Sequence, residues 1–128
     1  MFKYSTKIFM RGTDMTGILY FTELPRMAAE AFEFFLDQKE VSIRNGKFFL
    51  PIVHLNTNYF SPFEYGDKVE VDLSSEKIGK SSFTLKSRFF LGSLLKSEVE
   101  ITHVVVAKGG GASQEIPDDF RLLLEELK

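Results

Sequence analysis

The sequence predicts an α+β domain in which one curved antiparallel sheet wraps around a single long helix. Three observations predict it. From about Thr22 to Asp37 the polar residues Glu23, Arg26, Glu30, Glu33 and Asp37 recur at spacings of three and four, so a helix places them on one narrow stripe. The remaining positions are Leu, Met, Ala and Phe, which inverts the usual surface helix with its single apolar stripe. Nearly everything after it alternates apolar and polar residues, the period of half-buried strands. With one long helix there are no crossovers for a parallel sheet, so the strands must pair antiparallel and close over the helix.

Taken in order, Phe2, Tyr4, Thr6, Ile8 and Met10 share one face of a strand over residues 2–11, with Lys3, Ser5, Lys7 and Arg11 on the other. A loop from Gly12 to about Phe21 leads into the helix, whose first turn tolerates Pro25. Asn45-Gly46, between the short apolar runs Val41–Arg44 and Lys47–Leu50, is a two-residue hairpin signal. From Pro51 to Phe60 the residues Val53, Leu55, Thr57 and Tyr59 oppose His54, Asn56 and Asn58. Pro62 and Tyr65-Gly66-Asp67 mark a turn. Val69, Val71 and Leu73 then share one face of a strand that ends in a turn around Ser75–Gly79.

The next strand runs from about Ser81 to Leu91, with Phe83, Leu85 and Phe89 against Thr84, Lys86 and Arg88. Gly92-Ser93 reads as a tight hairpin turn. Leu94 to Ala107 follows as one long strand, Val99, Ile101 and Val105 inward and Glu98, Glu100 and Thr102 outward. Gly109-Gly110-Gly111 ends it. Pro117, Asp118 and Asp119 open a short terminal helix, its acids at the end that the helix dipole favours.

Length and composition bound the function. A chain of 128 residues is expected to be one domain, residues 1–128. Its 14 Phe, with no Trp and no Cys, call for a bulky apolar interior or an apolar pocket. Lack of Cys excludes disulfides, thiol catalysis and Cys-ligated zinc. The two histidines, His54 and His103, are far apart and show no metal spacing, so neither metal nor cofactor is expected. A net charge of −2 supplies no field for nucleic acid. No run approaches the ~20 apolar residues of a membrane span, and charges interrupt the first residues where a signal peptide would be apolar. The expectation is a cytoplasmic protein without a membrane span.

Asp14-Met15-Thr16-Gly17-Ile18-Leu19-Tyr20-Phe21 resembles the Asp-x-x-Gly-x-(Val/Leu)-(Tyr/Trp) signature of the 4-hydroxybenzoyl-CoA thioesterase-like hotdog enzymes. Pro51-Ile52-Val53, Asn58 to Pro62 with Gly66-Asp67, Lys80-Ser81-Ser82-Phe83 and Ile116-Pro117 fall in that family's order, so the resemblance spans nearly the whole chain. It implies the hotdog fold and hydrolysis of an acyl-CoA thioester, with Asp14 as the working carboxylate and the backbone N–H of Phe21 polarising the carbonyl. Gly17, Tyr20, Asn58, Lys80, Ser81 and Ser82 are the implied substrate-binding positions. A helix N-terminus offers free N–H groups and a positive dipole end to a developing oxyanion. A carboxylate beside it acts either as nucleophile or as base for water. An ordinary Asp, with a pKa of about 3.9, is a poor base near neutrality unless burial raises it.

The chain also departs from the family pattern. Ala29 stands where the 4-hydroxybenzoyl enzyme has a helix acid for the phenol hydroxyl, which argues against that substrate. Phe32, Phe34 and Phe35 suit an aliphatic or simple aromatic acyl group. The basic cluster that meets the CoA phosphates in relatives is thinned to Lys80, with Lys77, Lys86 and Arg88 as possible extensions. That thinning leaves an acyl-carrier-protein thioester as the alternative substrate, and a non-catalytic acyl-thioester-binding protein as the alternative function. The resemblance further implies a homodimer or homotetramer, with residues 52–59 pairing across the interface and His54, Asn56 and Asn58 facing the partner's site.

Overall fold

A computed structural model describes residues 1–44 and 46–128. The elements are β1 (Phe2–Lys7), a short 3-10 turn (Met10–Gly12), α1 (Glu23–Gln38), β2 (Phe48–Phe49), β3 (Ile52–Tyr59), β4 (Lys68–Ile78), β5 (Ser82–Leu91), β6 (Leu94–Val104), β7 (Val106–Ala107) and α2 (Asp118–Glu125). The main sheet has the order β1-β4-β5-β6-β3 and is antiparallel throughout. β2 and β7 form a separate two-stranded ladder. One face of the main sheet lies on α1, which is the predicted hotdog arrangement.

The alternation of each strand decides what meets the helix. Val69, Val71, Phe89, Val99 and Ile101 bury against Leu24, Met27, Ala28 and Ala31 in the first half of α1. Leu73, Phe83, Leu85 and Val105 bury against Phe32, Phe35 and Leu36 in its second half, and Phe120 and Leu124 of α2 close that end. Each of these Val, Leu, Ile, Met and Phe side chains taken out of water contributes about 1.5–3 kcal/mol, the alanines less. Truncating the fully buried Phe83 to Ala would therefore cost about 3–5 kcal/mol. The β5–β6 hairpin turns at Gly92, whose φ of +61° favours glycine, as the sequence predicts.

Several elements differ from expectation. The helix is not wrapped on all sides: Ala29 and Phe34 are exposed beside the polar stripe, and seven positions meet the sheet. Phe34 instead stacks on Tyr4 with ring centroids 4.8 Å apart. β1 stops at Lys7 because Ile8 exchanges backbone bonds with Gly66 and Asp67, after which Gly12 closes a turn onto Phe9. Met10 is thus left exposed instead of buried. Among the described residues of Val41–Leu50 no ladder joins the two expected arms. Residues 41–44 are irregular, Asn45 lies outside the described residues, and Phe48–Phe49 pair with Val106–Ala107 instead. Val41 and Ile43 spend their apolar side chains on the core around Phe35 and Phe120. β4 runs on to Ile78 through an irregularity between Ser75 and Lys77, so the turn is confined to Gly79-Lys80-Ser81. Ser75 is held there by α2, its hydroxyl donating to the Leu124 carbonyl at 2.8 Å. The expected strand Leu94–Ala107 is divided at Val105, whose N–H turns to the Ser81 carbonyl.

The outer face of the sheet, turned away from α1, is laced with ion pairs. Lys86 lies 2.9 Å from Glu76, 3.4 Å from Glu100 and 3.8 Å from Glu98. Arg88 approaches Glu98 at 3.5 Å, and Lys3 approaches Asp72 at 3.0 Å.

Candidate active site

The loop between β1 and α1 folds back on itself as a small hairpin. The Tyr20 N–H donates to the Gly12 carbonyl at 2.8 Å, Thr13 bridges Leu19, and the Asp14 N–H donates to the Ile18 carbonyl at 3.3 Å. At the tip Gly17 has φ +80° and donates its N–H to the Asp14 carbonyl, so this position needs glycine for its backbone. The Gly17 carbonyl accepts from Tyr65 at 2.8 Å and the Leu19 N–H donates to Phe63 at 2.9 Å. The loop is thereby clamped to the turn that precedes β4.

Asp14 itself is exposed in the single chain, its carboxylate accepting the Thr16 hydroxyl and, at 2.8 Å, the Thr16 N–H. Those two donors, the hydroxyl foremost, hold the carboxyl below the usual aspartate range. It is ionised at neutral pH, the form in which a carboxylate acts either as nucleophile or as base.

α1 begins without a side-chain cap at Thr22. The Phe21 carbonyl accepts the Tyr59 hydroxyl, while the Phe21 N–H donates to no acceptor among the described residues. Beside it lies an apolar groove of about 280 Å³, walled by Ile18, Tyr20, Phe21, Leu24, Tyr59 and Phe60, with Ser97 also on its lining. The Tyr20 and Phe21 rings meet at 4.9 Å. The structure thus gathers Asp14, Gly17, Tyr20 and Phe21 at one end of the sheet. Ser97 escaped the sequence reading, although a serine in line with the inward Val99 and Ile101 is a readable break in pattern.

The other predicted positions lie elsewhere. Lys80 and Ser81 lie in the β4–β5 turn and Ser82 opens β5; the Gly79 N–H donates to the Ser82 carbonyl at 2.7 Å and Arg121 of α2 donates to the Gly79 carbonyl at 2.9 Å. The Asp14 loop is clamped to the start of β4 and Lys80 follows its end. Eleven residues of strand separate them, roughly 30 Å at the usual rise. Asn58 pairs with Glu98 on the outer face, together with His54 and Asn56, whereas Tyr59 and Ser97 are on the groove side. Lys86 and Arg88 do not extend a basic patch around Lys80, because glutamates already compensate both.

A second cavity, of about 600 Å³, opens at the Lys80 end between α1 and residues 40–44, with Ala29, Glu33, Ile43, Leu50 and His103 on its lining. His103 is buried, packs on Phe83 and Phe32, and has Nδ1 2.9 Å from the Leu50 carbonyl. Burial pushes its pKa down, so the ring is neutral near pH 7. β3, which runs between the two cavities, is one edge of the sheet, with β1 the other. Ile52, Val53, Leu55 and Tyr59 are each about half exposed or more along it. Such an apolar edge is open to another strand.

Among the described residues no helix is long and apolar enough to cross a membrane, and no cluster of side chains has the makings of a metal site. Residues 10–124 match the model of the thioesterase-like superfamily. A 1,4-dihydroxy-2-naphthoyl-CoA hydrolase of Microcystis aeruginosa is 26% identical over 124 residues, covering 92% of this chain and 88% of the relative. One from Prochlorococcus marinus is 31% identical over 105 residues, covering 73% and 68%. The crystal structure of a 1,4-dihydroxy-2-naphthoyl-CoA thioesterase from Synechocystis superposes with a TM-score of 0.90 at 25% identity, over 98% of this chain and 96% of that one.

Proposed function

This chain belongs to the thioesterase-like superfamily and is an acyl-CoA thioesterase of the hotdog fold, and we propose that it hydrolyses an aromatic acyl-CoA at sites shared between two copies of the chain. The single observation that carries the reading is the Phe21 N–H, free at the start of α1 beside an apolar groove and fed by the Asp14 loop. A thioester carbonyl accepting that N–H has its developing negative charge at the positive end of the helix dipole. The Asp14 carboxylate attacks the carbonyl carbon, the oxyanion collapses, and the C–S bond breaks with release of the CoA thiolate. Water then hydrolyses the acyl-aspartyl anhydride, returning the carboxylate and freeing the acid.

The second copy supplies what one chain separates. Antiparallel pairing of β3 with itself lays the Tyr59 end of one strand beside the Ile52 end of the other. The groove at Phe21 then adjoins the larger cavity of the partner, and Lys80 of the partner subunit comes to the Asp14 end, where its ammonium meets a CoA phosphate. Relatives named for a dihydroxynaphthoyl thioester support an aromatic acyl group, and the groove walls of Tyr20, Phe21 and Tyr59 suit one.

The test is a hydrolysis screen of wild type and Asp14→Asn over naphthoyl-CoA, benzoyl-CoA and a series of aliphatic acyl-CoAs. Wild type should prefer the aromatic thioesters. Asp14→Asn should lose at least ~10²–10³ of kcat, the scale of losing one essential catalytic group. It should keep its melting midpoint within a few degrees, because Asn can still accept from Thr16. Hydrolysis by Asp14→Asn near the wild-type rate would return Asp14 to the rank of a turn residue. A preference for aliphatic chains would overturn the substrate class alone.

A further inference from the structure

We infer that the Ser97 hydroxyl is a specificity-determining group, hydrogen-bonding a ring hydroxyl of the acyl group in the groove beside Phe21. The inference rests on the proposed reading of that groove as the acyl site. Ser97 is 1% exposed, and its Oγ is the one buried side-chain polar atom among the described residues without a hydrogen-bond partner. A buried hydroxyl left unpaired is unfavourable, and a folded chain that retains one calls for a reason. Packing gives none. Ser97 continues the inward row of β6, whose next positions are Val99 and Ile101, and an alanine would fill the same place without the desolvation cost.

Position supplies the reason. Ser97 pairs with Tyr59 across β3 and with Phe89 across β5, and it lines the groove with Leu24 and Phe63. Those neighbours offer it no acceptor, and Ser97 borders the groove, where a ring pressed between the apolar walls comes up against it. The Tyr59 hydroxyl, which could have reached inward, is already given to the Phe21 carbonyl. An aromatic acyl group whose carbonyl sits on the Phe21 N–H would extend its ring along these apolar walls. A hydroxyl on that ring would find Ser97 as its polar partner. Ala29, on the lining of the larger cavity, has nothing to offer it there. A site built around a hydrogen bond discriminates strongly against the analogue that lacks it, because its own polar group then stays unpaired.

The experiment compares kcat/KM for 1,4-dihydroxy-2-naphthoyl-CoA and 2-naphthoyl-CoA in wild type, Ser97→Ala and Ser97→Thr. Wild type should favour the hydroxylated thioester. Ser97→Ala should reduce the ratio of the two roughly tenfold or more, while Ser97→Thr, which keeps a hydroxyl, should restore most of it. The free Ser97→Ala protein should also melt at or above the wild-type temperature, because an unpaired polar group has been removed. Either an unchanged ratio in Ser97→Ala or a clear fall in its melting temperature overturns the assignment, the latter by showing that the hydroxyl has a structural partner. An unchanged ratio with both thioesters turned over leaves the thioesterase reading standing. Failure of wild type to hydrolyse either one removes the aromatic reading and the role of Ser97 with it.

Discussion

Mixing two inactive or weakened variants tests the shared site directly. The Asp14 loop is clamped beside the start of β4 and Lys80 follows its end, so the length of an eleven-residue strand, roughly 30 Å at the usual rise, lies between them in one chain and places Lys80 far from the thioester carbon. In a pair joined through β3, one site combines Asp14 of the first chain with Lys80 of the partner subunit. Asp14→Asn chains keep Lys80, and Lys80→Ala chains keep Asp14. Refolded together in equal amounts they should pair at random, so about half the dimers are hybrids and each hybrid has one intact site, about a quarter of all sites. At substrate concentrations well below KM, where Lys80→Ala is weakened, the mixture should recover close to a quarter of wild-type activity. The recovered fraction should show wild-type KM, and the gain conferred by Lys80 should shrink as salt rises, since that side chain is exposed. A mixture no more active than the mean of its two separate components would refute the argument from strand length, and with it the shared site.

Three further outcomes follow from other parts of the structure. Thr16→Val removes the donor that contributes most to lowering the Asp14 pKa. In the proposed mechanism activity needs the ionised carboxylate and is lost as pH falls through its pKa, so the acid limb of kcat/KM should move to higher pH in Thr16→Val; an unmoved limb would mean that another group controls it. Leu55→Glu places a charge on the half-exposed inner side of the edge strand. Sedimentation should shift towards monomer with loss of turnover, and an active, unshifted variant would rule out pairing through β3. His103 has its pKa below the unfolded value of 6.5, so the unfolded chain takes up the proton first. Its contribution to stability is complete above that value and is lost as pH falls through the folded-state pKa. Thermal melts of His103→Gln, which keeps a donor for the Leu50 carbonyl, should show a flatter acid dependence than wild type.

Strands with strict alternation were readable from the chain because side-chain period and burial coincide there. β5 and β6 place Phe83, Leu85, Phe89, Val99 and Ile101 inward as their spacing implies, and Gly92 turns between them. The Asp14 loop was readable through its glycine, whose positive φ a family signature preserves as a letter. Local pattern failed where tertiary partners compete for a segment. Val41 and Ile43 alternate like a strand, yet the core around Phe35 and α2 takes their side chains, and Phe48–Phe49 find their ladder in residues far along the chain. The helix composition overstated its burial because Ala29 and Phe34 read as apolar wherever they point. Distance along a strand carries no mark in sequence either. The separation of Lys80 from Asp14, and the placing of Asn58 on the outer face, emerge only once β4 and β3 have a register.

The ion pairs around Lys86 bear on how far assembly can proceed. A twisted sheet with one face on a helix has a second face that could stack on a copy of itself, turning pairs of chains into a four-chain sandwich. Here that face carries Glu70, Asp72, Glu76, Glu98 and Glu100 and, in equal number, Lys3, Lys7, Lys68, Lys86 and Arg88. Back-to-back stacking would strip water from ten charged side chains, a desolvation cost that their mutual attraction does not repay without excellent geometry. Growth beyond a pair is therefore expected to proceed through the helix side or the β1 edge, leaving the back of the sheet in water.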